Sequence, residues 1–261
     1  MRTLTTVIEA NFFELIASWC RSPQSELHND PKMVRYVTGS QFPLFNGVFR
    51  AQFILDEIDE RIDQTVAYFK SRGLPWCWIT GPSTQPTDLG THLEAHGLTY
   101  WGDAPGMAMD LLALNEDFPT PSSLTIEHIS DTKTLKQYIH VYAIGNEYSV
   151  AVENARFDSY ARLGFGPDNP WRYYIGWLEG EVVACSSLLL WAGLAAIHNV
   201  VTIPDARGQG IGTAMTLAPL REARNMGYRI GILHSSPAGL NIYRRIGFQE
   251  YCKLGFYGLA A

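Results

Sequence analysis

A glycine-rich turn near residue 210 has the residue types that bind a pyrophosphate. The turn reads Arg207-Gly208-Gln209-Gly210-Ile211-Gly212-Thr213 and follows the apolar run Val200-Val201-Thr202-Ile203. Glycines let the backbone turn tightly and approach a ligand, and the N–H groups at the start of a following helix point at a bound anion. Arg207 adds a permanent positive charge and a forked set of donors that suits phosphate. The segment therefore predicts an anion-binding turn between a strand and a helix.

Two other phosphate-binding motifs are excluded by the spacing. A P-loop needs a lysine after its second glycine, and no lysine occurs between Lys136 and Lys253. The glycines do not follow G-x-G-x-x-G, and no acidic residue stands about 20 residues further on, where a dinucleotide's ribose requires one. Two alternatives remain. The segment could be a tight turn that binds no ligand, or the protein could bind a nucleotide and use this loop differently.

A second pattern follows about one helix and one strand downstream. It consists of a small polar residue, a short helix, a tyrosine and, after three further residues, Gly-Phe, here running from Ser236 through Tyr243 to Gly247-Phe248. The two patterns in this order resemble the GNAT acetyltransferase superfamily. Its cofactor signature is Arg or Gln, two residues, Gly, one residue, then Gly or Ala, and Arg207, Gly210 and Gly212 fit it.

The resemblance implies an α+β fold in which a mixed, mostly antiparallel sheet is flanked by helices, with acetyl-CoA as cosubstrate. In this family the strand before the loop separates from its neighbour, and the pantetheine arm binds to the exposed backbone. The residues that the resemblance assigns to acetyl-CoA binding are Val200, Val201, Thr202, Arg207, Gly208, Gln209, Gly210, Ile211, Gly212, Thr213 and Ser236.

Tyr243 is the catalytic side chain that the resemblance favours, as the general acid that protonates the departing thiolate. We expect Ser236 to cap its helix and Pro237 to occupy the first turn. A tyrosine on a short buried helix is alternatively a packed residue with a satisfied hydroxyl. His198, on the strand before the loop, has a pKa suited to a general base, although a histidine on an apolar strand is more often a core residue.

Other routes for proton removal from the amine remain open. Glu147 and Glu153 lie between the first two helices of the domain, where a GNAT acceptor site usually forms, and are weaker candidates. Proton loss through ordered water is a further alternative. No cysteine has an identifiable histidine partner, so a covalent intermediate is not expected.

The composition excludes several classes of protein. The chain has 261 residues with a formal net charge of -6, which argues against a nucleic-acid binder. Glu9 interrupts the start of the chain before an apolar signal segment forms, and no run of about 18 apolar residues predicts a membrane span. The four cysteines are scattered without a metal-ligand spacing, so we expect a cytoplasmic protein without a metal site.

Prolines and small polar residues between Glu116 and Ser123 predict a boundary between domains at 1–118 and 122–261. In the second domain we expect Pro219 to kink or interrupt the helix after the glycine-rich turn. The other elements predicted there are a strand at 124–129, helices at 131–145 and 152–163, strands at 171–178, 182–191, 194–203 and 229–234, a short helix at 238–246 and a strand at 248–257.

The first domain repeats the last elements of the second. A helix at about 56–72 ends at Gly73, and a strand, a short helix at 88–95 and a further strand follow. Four acids at the start of that helix would repel a pyrophosphate, so we expect a degenerate GNAT-like domain and one active site per chain. An unrelated α+β cap is the alternative.

These observations together predict an N-acetyltransferase that transfers an acetyl group from acetyl-CoA to a primary amine by direct attack in a ternary complex. The acceptor is a small-molecule or peptide amine that the sequence does not identify. We expect a monomer or a homodimer. The alternative is a CoA-binding sensor or scaffold that has the GNAT fold without turnover.

Overall fold

The computed structural model describes residues 3–166 and 168–259. The chain divides into two compact units, of which the first contains Met1–Gly106 and Tyr251–Ala261 and the second contains Met107–Glu250. This division differs from the domains predicted at 1–118 and 122–261, because the end of the chain pairs with a strand of the first unit. Strand pairing over such a distance along the chain leaves no local signal, whereas the prolines near residue 120 are turns inside the second unit.

The first unit contains a mixed sheet with a helix before it and two helices within it. Its strands follow the order β1-β2-β3-β4-β11-β5, in which β1 to β3 are antiparallel, β3 and β4 are parallel, and β4 and β11 are antiparallel. The elements are α1 (Leu4–Trp19), β1 (Glu26–Asn29), β2 (Val34–Val37), β3 (Asn46–Phe49), α2 (Ile58–Arg72), β4 (Cys77–Thr80), α3 (Leu89–Ala95), β5 (Leu98–Asp110) and β11 (Gln249–Leu259).

The first unit confirms the predicted order of a helix, a strand, a short helix and a strand. α2 ends at Gly73, whose φ of 62° lies in the left-handed region that glycine adopts at helix ends. One face of α2 packs on the sheet, and its buried side chains include Ile58, Ile62 and Phe69. Phe69 stacks on Trp76 with ring centroids 4.7 Å apart, so aromatic packing secures this helix against the strand that follows it.

The second unit contains the glycine-rich turn and a sheet in the order β5-β10-β9-β8-β7-β6. Its strands β6 to β9 are antiparallel, and β9 and β10 are parallel, as expected for a mixed, mostly antiparallel sheet. The elements are β6 (Leu124–His128), α4 (Thr132–Gly145), α5 (Val150–Leu163), β7 (Trp171–Leu178), β8 (Glu181–Trp191), β9 (Leu194–Thr202), α6 (Ile211–Asn225), β10 (Ile230–His234) and α7 (Leu240–Ile246).

Pro219 does not end α6, so of the predicted kink or interruption the interruption does not occur. The helix runs from Ile211 to Asn225 with Pro219 buried inside it. A proline has no N–H to donate, which deprives the carbonyl group of Met215 of its helical partner. The hydroxyl of Ser186 on β8 donates to that carbonyl at 2.8 Å. The sheet thus satisfies the backbone group that the proline leaves without a donor.

A contiguous apolar core joins α6 and α7 to one face of the second unit's sheet. Its buried side chains include Met215 and Leu220 of α6, Ile246 of α7 and Ile197 and Leu233 of adjacent strands. This packing fixes the positions of both helices relative to β9 and β10. Among the residues that the structure describes, no helix has the length and hydropathy needed to cross a membrane.

Candidate functional site

The strands β9 and β10 pair over only part of β9. Their parallel register joins Leu194–Ile197 to Ile230–Leu233 and stops there. Beyond it, Val201 and Thr202 pair with Cys185 and Ala184 of β8 on the other side. Within the described ranges, no register pair joins Val200–Thr202 to β10, and we call these three residues the open edge of β9. The predicted separation of the two strands is therefore present.

A β-bulge lies where the pairing stops. Cys185 pairs with Val201 and Ser187 pairs with His198, so two residues of β9 stand opposite Ser186 alone. One of them, Asn199, has a φ of 55° in the left-handed region. Asparagine adopts this conformation more readily than other non-glycine residues, and a bulge bends its strand. The bulge therefore lies directly before the open edge of β9, where a bend of the strand is expected.

The turn from β9 to α6 leaves the first N–H groups of α6 free of side-chain caps. Gly210 is the N-cap residue with a φ of 82°, and no side chain caps the helix. A Cβ atom at Gly210 would lie 2.5 Å from the carbonyl oxygen of Pro119, which excludes any larger residue there. At Gly212 the nearest neighbour of such an atom is Thr202 Oγ1 at 3.7 Å. The backbone at Gly212 is therefore open to a ligand.

Two of the donor groups of Arg207 are hydrogen-bonded to backbone carbonyls. Its Nε donates to the carbonyl of Thr202 at 3.0 Å, and its Nη2 donates to the carbonyl of Gly145 at 3.2 Å. The guanidinium group therefore joins the end of β9 to the end of α4. Its positive charge stays at the surface beside the start of α6, where the electrostatic field also favours an anion.

Tyr243 lies on α7, and its ring packs against the ring of Phe248 at a centroid distance of 6.1 Å. Its hydroxyl hydrogen-bonds to Thr216 of α6, whose own hydroxyl donates to the carbonyl of Gly212 at 2.9 Å. Burial raises the pKa of Tyr243 to about 12, and the bond to Thr216 opposes part of that shift. The phenol is therefore protonated at neutral pH and able to donate.

The helix that carries Tyr243 begins later than predicted. α7 starts at Leu240 rather than Ala238, and its N-cap residue is Gly239, without a side-chain cap. The hydroxyl of Ser236 accepts the N–H of Gly239 at 3.3 Å and closes the preceding turn. Ser236 therefore caps the turn before α7 rather than the helix itself. Pro237 lies in that turn and not in the first turn of α7.

A cavity of about 320 Å³ brings these groups together. It contains seven of the predicted site residues, namely Val200, Val201, Thr202, Arg207, Gly212, Ser236 and Tyr243. Prediction from sequence missed the remaining lining residues, namely Gly145, Asn146, Thr216, Ala238, Gly239 and Ile242. Gly145 and Asn146 end α4, and no spacing in the sequence indicates that this helix end lies beside β9.

The other predicted binding residues do not line this cavity with their side chains. Ile211 and Thr213 are buried in the unit's interior, whereas Gly208 and Gln209 lie exposed in the turn. Gly210 determines the path of the backbone, as described above. A role for these residues in binding would use backbone N–H groups, because their side chains point elsewhere or are absent.

His198 is buried on β9 and does not line the cavity. It is 7% exposed, and its ring lies 5.6 Å from that of Trp171. Burial lowers its pKa to about 4. His234 follows the last paired residue of β10, and burial together with His198 lowers its pKa to about 3. Both imidazoles are therefore neutral at neutral pH, next to the point where the two strands separate.

The two glutamates considered as alternative bases are also outside the cavity. Glu153 forms an ion pair with His140, with 3.0 Å between Oε1 and Nδ1. Glu147 is exposed in the turn between α4 and α5, where its φ is 57°. The geometry brings Tyr243 to the open edge of β9 but brings neither glutamate there.

Comparisons with known proteins agree with this arrangement. Residues 139–248 match the model of the acetyltransferase (GNAT) family. A stretch of 60 residues, 22% of this chain, is 37% identical to an uncharacterized N-acetyltransferase of Methanocaldococcus jannaschii and covers 26% of that protein. The matched stretch is thus about a quarter of the relative's length.

Solved structures resemble the chain over its whole length. A GCN5-related N-acetyltransferase from Kribbella flavida superposes with a TM-score of 0.74 at 16% identity, covering 100% of this chain and 97% of its own. A tandem GNAT protein from the clavulanic acid biosynthesis pathway superposes with a TM-score of 0.60 at 13% identity, covering 96% and 86%. Residues 139–248 therefore resemble the GNAT acetyltransferase family, and the chain has a fold like that of the Kribbella flavida protein and of the tandem GNAT protein.

Proposed function

We propose that the protein is an N-acetyltransferase that transfers an acetyl group from acetyl-CoA to a primary amine. One observation carries the proposal: the open edge of β9, the uncapped start of α6 and the hydroxyl-bearing ring of Tyr243 meet in one cavity. The GNAT family match of residues 139–248 supports the same reaction class. The acceptor would be a small-molecule or peptide amine.

The residues around the cavity fit an acyl-CoA. The open edge of β9 offers backbone donors and acceptors without a partner strand, which suits the amides of a pantetheine arm. The start of α6 offers N–H groups and the positive end of a helix dipole, which suit a pyrophosphate. The open space at Gly212 would let a phosphate approach the backbone closely.

The proposed reaction is a direct attack in a ternary complex. The amine nitrogen forms a bond to the thioester carbonyl carbon, the carbon–sulfur bond breaks, and the sulfur leaves with the electron pair. Tyr243 would donate a proton to that sulfur, because its raised pKa keeps the phenol protonated. A backbone N–H at the open edge of β9 would stabilise the negative charge on the carbonyl oxygen.

The proton of the amine needs a separate acceptor. We propose His198 for this role through a bridging water, because its imidazole is neutral and lies beside the fork between β9 and β10. Its low pKa makes it a weak base, so the amine would have to arrive largely deprotonated. The rate would then rise with pH toward the pKa of the acceptor amine.

The test combines a binding measurement with an activity measurement. Isothermal titration calorimetry of the whole chain gives the Kd for acetyl-CoA, and thiol release against a panel of amines gives turnover. Intersecting initial-rate patterns are expected for a ternary complex, whereas parallel patterns would overturn direct attack. Tight acetyl-CoA binding without CoA release for any amine would instead favour the sensor.

Tyr243→Phe separates catalysis from binding. We expect kcat to fall about 100-fold while the Kd for acetyl-CoA stays within about twofold, since only a proton donor is removed. Because the pKa of Tyr243 is raised to about 12, no decline in kcat from its ionisation is expected between about pH 7 and pH 10. An unchanged kcat in the variant would remove Tyr243 from the mechanism.

A further inference from the structure

The side chain of Asn199 connects the bulge of β9 to α5. Its Nδ2 group donates to the hydroxyl of Tyr160 on α5 at 2.8 Å and to the hydroxyl of Ser187 on β8 at 2.9 Å. Both N–H bonds of the amide are thereby used. Asn199 is thus the residue of β9 that has a left-handed backbone conformation. Its side chain is also hydrogen-bonded to both α5 and β8.

Tyr160 accepts a second hydrogen bond at the same oxygen. Arg156 lies one turn earlier on α5, is 4% exposed, and donates from Nη2 to the Tyr160 hydroxyl at 2.8 Å. Its guanidinium carbon also lies 4.8 Å from the centre of the Tyr160 ring. Tyr160 itself is 2% exposed. Its hydroxyl therefore receives donors from a helix and from a strand in the protein interior, where the low dielectric constant strengthens each hydrogen bond.

The main chain of the bulge is held from the side of β8 as well. The hydroxyl of Ser187 donates to the carbonyl of His198 at 3.3 Å, and the thiol of Cys185 donates to the carbonyl of Asn199 at 3.7 Å. These bonds replace the regular strand pairing that the bulge interrupts. The direction in which β9 leaves the bulge is thereby determined by side chains of β8 and α5.

We propose that Arg156, Tyr160 and Asn199, which we call the bulge clamp, are positioning residues for acyl-CoA binding. They hold the bulge in the conformation that keeps the open edge of β9 away from β10 at the separation that a pantetheine arm requires. None of the three lines the cavity, so they act through the backbone of Val200–Thr202. This proposal rests on the proposed function.

The clamp also implies a connection between α5 and the cofactor site. Tyr160 packs against Tyr138 of α4 and Tyr173 of β7, with ring centroids 6.0 Å and 5.3 Å away. A displacement of α5 would move the Tyr160 hydroxyl and with it the amide of Asn199. The affinity for acetyl-CoA therefore depends on the position of a helix that does not contact the cavity.

Two variants remove the clamp in different ways. Asn199→Gly removes the side chain but keeps a residue that readily adopts a φ of 55°. Tyr160→Phe removes the hydroxyl that accepts both donors and keeps the ring. Ser159→Ala, at a half-buried position of α5 whose hydroxyl donates to the carbonyl of Ala155 rather than to the clamp, is the matched control. Circular dichroism and thermal unfolding establish that each variant is folded.

We expect Asn199→Gly and Tyr160→Phe each to raise the Kd for acetyl-CoA about tenfold, with Ser159→Ala unchanged. Hydrogen exchange of the amides of Val200–Thr202 should become faster in both clamp variants. A general loss of stability would instead speed up exchange throughout the domain, so a change confined to these three residues points to the clamp. If Tyr160→Phe fails to fold, the Kd and the hydrogen exchange of Asn199→Gly test the clamp by themselves.

A Kd for Asn199→Gly within about twofold of the wild type, with unchanged exchange at the open edge, would overturn the clamp. Failure of the proposed function gives a different result. In that case the wild-type protein itself does not bind acetyl-CoA, while the exchange measurement still reports whether the clamp holds the open edge of β9. The two outcomes are therefore distinguishable.

Discussion

The helices α2 and α6 occupy the same place in the repeated order of elements, yet their N-termini differ in charge. α6 begins at Ile211 after its N-cap residue Gly210, with no acid in its first turn and no side-chain cap. α2 has Asp59 and Glu60 in its first turn, and the carboxylate of Glu57 accepts the N–H of Ile54 at 3.4 Å just before it. α2 has no side-chain cap either, so the carboxylates there act by neutralising the positive end of the helix dipole.

The difference in charge would favour an anion at the start of α6 and oppose one at the start of α2. The first unit uses the start of α2 for its own stability, and Glu57 also forms ion pairs with Lys32 and Arg61. These partners, Lys32 foremost, hold the pKa of Glu57 below its ordinary value, so its charge persists at neutral pH. The second unit leaves the start of α6 free of acids. We therefore expect ligand binding to follow charge at the helix start rather than the fold.

The largest expected effect comes from making the start of α6 resemble that of α2. Gly212→Glu places a carboxylate where the structure has open space, so the helix should fold while an anionic ligand is repelled. We expect the Kd for acetyl-CoA to rise about 100-fold or more, measured by calorimetry. Gly212→Ala is the matched control and should stay close to the wild type. Equal affinities of Gly212→Glu and Gly212→Ala would contradict an anion site at α6.

A smaller effect is expected from removing the charge beside α6. Arg207→Ala takes away the guanidinium group and its bonds to the carbonyls of Thr202 and Gly145. We expect a rise of about tenfold in the Kd for acetyl-CoA, with a weaker dependence on salt than the wild type shows. Arg162→Ala on the exposed side of α5 serves as the control. If both variants bind alike, Arg207 has only a structural role.

The reciprocal change removes an acid beside the start of α2 in the first unit. Glu57→Gln removes one acid before α2 but leaves Asp59 and Glu60 in its first turn. We expect a small fall in Tm from the weakened ion pairs with Lys32 and Arg61 and no additional acetyl-CoA site. Calorimetry should give the same stoichiometry as for the wild type. A second binding event would show that charge alone separates the two helix starts.

The smallest effect concerns the contact between α2 and the end of α3, where the first unit uses charge. His96 places Nδ1 2.9 Å from Asp63 Oδ1 and Nε2 3.1 Å from Asp59 Oδ1, so both nitrogens are donors in the imidazolium form. Asp59 foremost, and then Asp63, raise the pKa of His96. A raised pKa in the folded state gives stability that is complete below the unfolded pKa of about 6.5 and is lost as pH rises through the folded value.

His96→Gln should therefore lower Tm more at about pH 5.5 than at about pH 9, by a difference of about 2 °C. Thermal unfolding followed by circular dichroism over this range is the measurement. Asp59→Asn should reduce the same pH-dependent component, because it removes one of the two carboxylates. A difference in Tm that is the same at every pH would mean that the pair does not titrate with folding.

Local signals in the sequence predicted most elements of the second unit. Asp131 caps α4 through the N–H of Thr134, and Gly180 closes the hairpin of β7 and β8 with a φ of 88°. Each of these features depends on residues within a few positions of one another. The meeting of Tyr243, Arg207 and the open edge of β9 followed from the family resemblance rather than from spacing alone.

Features that depend on distant residues were not predictable in the same way. Nothing near Asn199 in the sequence indicates a bulge, because its conformation is held by Tyr160 and Ser187. Of the kink or interruption predicted at Pro219, the interruption does not occur, and Ser186, more than thirty positions earlier, donates to the carbonyl that the proline leaves without a partner. The pairing of β11 with β4 likewise joins the end of the chain to its first part. His198 remains a predicted base, and its burial lowers its pKa to about 4.

Ser186 has a consequence for how the site is held together. It stands alone opposite the two bulged residues of β9, and its hydroxyl is bonded to the backbone of α6. Ser186 of β8 thus contacts both the bulge before the open edge of β9 and the backbone of α6. A sliding motion of α6 along its axis would stretch this hydrogen bond, so the bond opposes a change in the distance between the open edge of β9 and the start of α6. Proline within α6 is what frees the carbonyl that makes this link.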